Sequence, residues 1–326
     1  MKPIHTDRRT ARWAPVLLAP ILLAPTLLAG CATTDTASPE ATRADAGTRD
    51  AATRDGTARD TALRGTALRD AALRRGDTAW RTDRPDEALR HYLEAAAADP
   101  TSDVALLRIS MLHETLDRLD LAIRASQVAA QRDPRKGLAM QRLGYLWLRT
   151  GDAERAAQEF TRALQLDPAL WASCMGLGLA AEQRGDVTSA RMHYDEALAL
   201  RPTSAELLAY SARVDLARGD LPRARTQAQA SLAAAPSTTG RLVWGDVLAR
   251  SGEYPDALEA YHAVLDTAEA YQRLGEQAMR RSDWPAAVDF LERALRSAPS
   301  RPESTAKRLA VARERLAVVD RRALGR

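Results

Sequence analysis

Five histidines and two cysteines are the side chains best suited to ligate a metal or act as nucleophiles: His5, His91, His113, His193 and His262, with Cys31 and Cys174. No His-x-x-x-His pair occurs, so no helix presents two imidazoles on one face to a metal ion. His91-Tyr92 and His193-Tyr194 fall at the same place of a repeating pattern, which points to a surface or packing role rather than ligation. Gly176-Leu177-Gly178 follows no strand and precedes no Gly-Lys-Ser/Thr, so it is not a phosphate-cradling loop. Cys174 stands in an apolar helical stretch and reads as a small core hydrophobe. Two cysteines in unlike contexts make no disulfide framework. From these residues neither catalysis nor a metal, a cofactor or a small-molecule substrate is expected.

Cys31 differs because of what precedes it. Lys2, Arg8, Arg9 and Arg12 oppose only Asp7, an apolar run extends from Trp13 through Leu28, and Ala29-Gly30-Cys31 follows. Basic start, apolar middle and small residues at the end are the order of a secretory signal over residues 1–30. Pro15, Pro20 and Pro25 break the run, whereas a stable span needs ~20 apolar residues in a row. Leu28-Ala29-Gly30-Cys31 resembles the lipobox of bacterial lipoproteins, which implies that Cys31 becomes the lipidated first residue of the mature chain. Buried acyl chains contribute ~0.8 kcal/mol per CH₂, so several chains anchor durably. In that family's sorting pattern, Ala32 rather than Asp after the cysteine implies lipid anchoring in the outer membrane, on its periplasmic face.

Without residues 1–30 the chain has 43 basic and 42 acidic residues, so the formal charge falls from +4 to +1. Nucleic-acid binding then loses its compositional support. Residues 31–62 are built almost wholly from Ala, Thr, Arg, Asp and Gly, with Arg49, Arg54 and Arg59 beginning a five-residue period that continues to Arg74. Five residues advance 500° on a helix, so these arginines form no stripe. Few apolar residues are present to offset ordering, and the segment is expected to be a disordered, solvated tether. Aromatic residues make up 5% of the chain and Ala, Leu and Arg dominate, which points to an all-helical fold.

A period of 34 residues fills the remainder. Pro100, Pro134, Pro168, Pro202 and Pro236 are evenly spaced, and other positions move in step. Ser110, Gly144, Gly178 and Ala212 are small; Asp117, Gly151, Gly185 and Gly219 are turn formers; Ala122, Ala156, Ala190 and Ala224 are small again. Two helices of about 13 residues joined at a turn account for this. Glycine at the turn suits a C-terminal cap of positive φ, and the aspartates after it (Asp152, Asp186, Asp220) can cap the next helix. Small residues let paired helices approach, while Leu143, Trp147, Phe160, Leu164, Leu177, Tyr194 and Leu198 fill the space between them. The residue before proline resists α geometry, so Asp167-Pro168 and its equivalents end each second helix.

Leu143-Gly144, Trp147, Gly151, Ala156, Phe160, Ala163 and Pro168 resemble the tetratricopeptide (TPR) repeat. The resemblance implies a right-handed all-α solenoid of about seven helix-turn-helix units over 63–301. The units lie near 69–102, 103–136, 137–170, 171–204, 205–237, 238–267 and 268–301, and a polar capping helix and tail follow over 302–326. Gly245 and Gly275 are only 30 apart, so one junction near Asp266–Glu269 is tightened.

In such proteins the first helix of each unit lines a groove that receives peptides. The groove stripe expected here is Leu107 and Met111, Tyr145 and Leu148, Met175 and Leu179, flanked by Trp80, Arg149 and Arg213. It would suit an apolar peptide with a terminal carboxylate or acidic residues. The chain contains no Asn, so it cannot use the family's Asn-and-Lys carboxylate clamp. A lipoprotein signal ahead of a TPR array resembles the TadD lipoproteins of tight-adherence (Flp) pilus systems. That resemblance implies a non-enzymatic scaffold that assists an outer-membrane secretin or another pilus-assembly component. An adaptor for peptidoglycan hydrolases or other envelope-biogenesis enzymes is the alternative.

Overall fold

The computed structural model describes the backbone of residues 46–133, 137–298 and 302–324, with side chains over 63–133, 137–298 and 302–322. Residues 1–45, which hold the expected signal, Cys31 and the first part of the expected tether, lie outside the described residues. By contact the chain divides into Met1–Arg54 and Asp55–Arg326, and the second of these holds the repeats. Among the described residues there are fifteen α-helices and no strand, as the composition and the 34-residue period require.

Seven helical pairs follow one another. They are α1 (Ala46–Arg81) with α2 (Pro85–Ala98), α3 (Val104–Thr115) with α4 (Leu119–Arg132), α5 (Gly137–Thr150) with α6 (Ala153–Leu166), and α7 (Trp171–Gln183) with α8 (Val187–Leu200). Next come α9 (Ala205–Arg218) with α10 (Leu221–Ala234), α11 (Thr238–Ser251) with α12 (Tyr254–His262), and α13 (Thr267–Arg280) with α14 (Trp284–Ser297). The last helix, α15 (Glu303–Leu324), packs Leu309 and Ala312 against Ala278, Ala287 and Leu291.

One register residue explains each hairpin. Asp83, Asp117, Gly151, Gly185, Gly219, Gly252 and Ser282 all have positive φ, between 56° and 89°. Such a residue ends a helix and turns the chain at once, and glycine adopts the conformation without steric cost. The next residue starts the second helix. Asp152, Asp186, Asp220 and Asp283 each accept the N–H three residues on, from Arg155, Ser189, Arg223 and Ala286. Arg84 and Arg118 stand at the same place and supply no such cap.

Close approach within most pairs depends on small residues facing large ones. Ala88, Ala122, Ala156, Ala190, Ala224, Ala257 and Ala287 are all fully buried. A Cβ on Gly144 would lie 2.6 Å from the Phe160 ring, and one on Gly178 would lie 2.5 Å from the Tyr194 ring. At those distances a side chain larger than glycine forces the pair apart. Cys174 is buried beside Tyr194, Leu207 and Tyr210, as a small hydrophobe would be.

One boundary differs from expectation. The helix α1 begins at Ala46, so residues 46–62 are helical rather than part of a disordered tether. Alanine and arginine are strong helix formers, and extending a helix already anchored by packing avoids the cost of nucleation. The repeat whose junction is tightened loses the end of its second helix: α12 stops at His262, and Asp266 already caps α13 by accepting the Glu269 N–H.

Candidate protein-binding surface

Successive first helices touch one another directly, and polar side chains join them. Arg108 on α3 lies 3.6 Å from Asp77 on α1. Arg142 on α5 pairs with Glu114 on α3 and also donates to the Ser110 hydroxyl at 3.3 Å. The Tyr145 hydroxyl donates to the Ala172 carbonyl of α7 at 2.6 Å. Arg213 on α9 makes a two-pronged contact with Glu182 on α7, at 2.9 and 2.7 Å. Arg273 on α13 grips Asp246 on α11 in the same way, at 2.7 and 2.6 Å. Planar forks of this kind fix orientation as well as charge.

Three of these carboxylates also receive a tyrosine from the second helix of their own unit. Tyr92 donates to Asp77 at 2.8 Å, Tyr261 to Asp246 at 2.7 Å, and Tyr194 to Glu182. Each tyrosine ring packs on the small residue of its first helix, Gly76, Gly245 or Gly178, and its hydroxyl thereby reaches the far side. Burial, and then the charge of Asp246, push the Tyr261 hydroxyl far above its ordinary value, so it stays a donor. Units with Phe160 or Leu291 at this place have no hydroxyl to offer.

The expected groove residues separate on this frame. Met111 is 40% exposed and holds the open position assigned to it. Trp80 and Leu107 are half-buried against the core around Ile109 and Leu112. Tyr145 and Leu148 pack on the Phe160 cluster, and Leu179 packs on the Tyr194 cluster. Met175 is only 4% exposed; it belongs to the core beside Tyr210 and Val214 and does not line the surface. Arg149 is tied to the Glu114 carbonyl at 3.2 Å and to Asp117 at 3.1 Å. Arg213 is committed to Glu182 and stacks over Tyr210.

Two apolar positions on the same face were missed by sequence reasoning. Val104 is 39% exposed and Leu138 is 46% exposed, each one turn from the start of its helix or nearer. They are 34 residues apart, so the same period that located the core could have located them. The open apolar part of the first-helix row is thus centred on Val104, Met111 and Leu138, with half-buried Leu107 and Leu148 beside them.

Burial pushes the Cys174 thiol up, away from the reactive thiolate. His91 and His193 each contact a glutamate on the next turn, Glu94 at 3.0 Å and Glu196 at 2.9 Å, and both lie on second helices. Among the described residues no three His, Cys, Asp or Glu side chains lie close enough to hold a metal ion. Likewise, no described helix is long and apolar enough to cross a membrane.

The tetratricopeptide repeat family matches the chain over residues 58–103, 73–135, 107–170, 171–205, 211–266 and 242–302. None of the curated proteins compared with the chain matches it. Among solved structures, a tetratricopeptide repeat protein from Parabacteroides merdae is similar at a TM-score of 0.55 and 14% identity, over 76% of this chain and 99% of that one. Pseudomonas aeruginosa pilF is similar at a TM-score of 0.55 and 20% identity, over 68% of this chain and 98% of that one. The APC/C hetero-tetramer Cut9–Hcn1 gives a TM-score of 0.58 and 17% identity, over 78% of this chain and 54% of that one. These likenesses concern the fold. With matched segments running from residue 58 to residue 302, this chain belongs to the tetratricopeptide repeat family, whose arrays serve as protein–protein interaction scaffolds.

Proposed function

We propose that the protein is a lipid-anchored periplasmic scaffold, held through Cys31 in the outer membrane, that assists assembly or localisation of a secretin-containing pilus or secretion complex of the tight-adherence type. The observation that carries this reading is Leu28-Ala29-Gly30-Cys31, placed after a basic and then apolar segment and upstream of a helical repeat array. The open apolar positions Val104, Met111 and Leu138 supply a surface on which a partner segment can bury its own apolar residues. A partner held there is ordered by contact with a rigid row of helices and needs no chemistry from the scaffold.

Affinity purification from detergent-solubilised outer membrane tests the assignment. Recovery of a secretin is expected; recovery of peptidoglycan hydrolases without a secretin would replace the pilus reading with the hydrolase-adaptor one. The anchor is tested separately by Cys31→Ser, which should leave unprocessed or mislocalised protein. An unchanged outer-membrane fraction would refute lipidation.

A further inference from the structure

One edge of the repeat stack carries arginine at a fixed register, five residues after the small residue of the first helix: Arg81, Arg149, Arg250 and Arg280. In the third unit the protein supplies its own counter-charge. Arg149 reaches Glu114 at 3.2 Å and Asp117 at 3.1 Å, both from the preceding unit. At the two corresponding places before Arg280 stand Ala249 and Gly252, and before Arg250 stand Leu216 and Gly219. The carboxylates that neutralise Arg149 are therefore missing from the last units.

Nearby acids are committed elsewhere. Asp246 accepts from Arg273, Gln277 and Tyr261; Glu253 holds Arg225; Asp283 accepts from Tyr254 and caps α14. Meanwhile Arg281 swings back and donates to the Arg250 carbonyl at 2.6 Å, which adds a third guanidinium at the ends of α11 and α13. Helix C-termini attract cations, and that accounts for Arg281 on a terminal carbonyl. It leaves the Arg250 and Arg280 side chains without a hydrogen-bond acceptor among the described residues. Burial, and then the charges of Arg280 and Arg281, push Arg250 below its ordinary value against the opposing charge of Asp246, so the two neighbouring arginines lie near enough to repel it.

We propose that Arg250, Arg280 and Arg281 form a docking point for an Asp- or Glu-rich segment of a partner protein, whose carboxylates take the places that Glu114 and Asp117 occupy around Arg149. The proposal rests on the protein-interaction reading of the repeats, and it adds a second, charged contact to the apolar one. Guanidinium forks match carboxylates in geometry, which favours a peptide side chain over a diffuse counter-ion.

The test uses the full chain in neutral detergent and a fluorescein-labelled octaglutamate peptide, read by fluorescence anisotropy at low and at high salt. Wild type should bind octaglutamate and not octalysine, and high salt should weaken the binding. Arg250→Gln with Arg280→Gln should lower the affinity about tenfold or more, equivalent to ~1.4 kcal/mol. Arg149→Gln, whose guanidinium is already paired, should leave it nearly unchanged. Circular dichroism should show the same helicity in every variant. Equal losses in the two variants, or no octaglutamate binding by wild type, would overturn the proposal. So would capture of phosphatidylglycerol vesicles in place of the peptide, which would make the cluster a lipid contact. Met111→Ser should leave octaglutamate affinity intact, so failure of the apolar surface and failure of this cluster give different results.

Discussion

The second and third units, α3 to α6, and the last two, α11 to α14, pack their paired helices alike and present different faces. In both, a small first-helix residue receives a large second-helix side chain: Gly144 receives Phe160, and Gly245 receives Tyr261. Their first-helix faces diverge. The earlier units leave Val104, Met111 and Leu138 open and tie Arg149 to acids of the protein itself. The later units bury Asp246 among Arg273, Gln277 and Tyr261, and leave the arginine edge without acids. A repeat thus fixes the packing between its helices and leaves the outer face free to diversify. What a face can bind follows from which of its groups the protein has left unmatched.

The core half of this comparison predicts the largest effect. Phe160→Ala empties a fully buried site against Gly144 and Gly176, and should cost ~3–5 kcal/mol by chemical denaturation. A cost near zero would mean that the paired helices are not held by this contact.

Next comes the polar half. Asp246→Ala leaves the Tyr261 hydroxyl, the Gln277 amide and the Arg273 guanidinium without their common acceptor, and should cost ~1–3 kcal/mol. Arg149→Ala removes an exposed pair and should cost no more than ~1 kcal/mol. Equal costs would erase the distinction between a buried network and a surface one.

The smallest effect is a pH dependence in α3. His113 is buried, and burial followed by the charge of Arg118 lowers its pKa from the ordinary 6.5. With the folded value below the unfolded one, the unfolded chain binds the proton first as pH falls. Stability from this group is therefore complete above pH 6.5 and declines as pH drops through the folded value. His113→Gln should flatten that part of the stability profile; an unchanged slope would show that other groups set it.

How much of this was legible in the sequence depends on the residue. The αL turn glycines Gly151, Gly185 and Gly219 and the capping aspartates after them follow from local chemistry alone, and the structure has them as expected. Ala156 and Ala190 could be placed in the core because small residues recur where helices cross. The face was harder to read. Met175 sits at groove spacing, yet the neighbouring Tyr210 and Val214 close over it, and that depends on a helix 30 or more residues away. Arg149 and Arg213 looked free for a ligand because their acids, Asp117 and Glu182, lie a whole repeat earlier. Residues 46–62 showed no stripe and still continue a helix, because propagation needs no buried face of its own.

Met111 on α3 and Val128 on α4 provide the most direct test, since they belong to one unit and are exposed almost equally, at 40% and 41%. A photo-crosslinking amino acid placed at either position in living cells compares the two faces with burial held constant. Crosslinks to a partner protein should form from position 111 and not from position 128. Crosslinking from position 128 alone would contradict the assignment of the first-helix row as the binding surface.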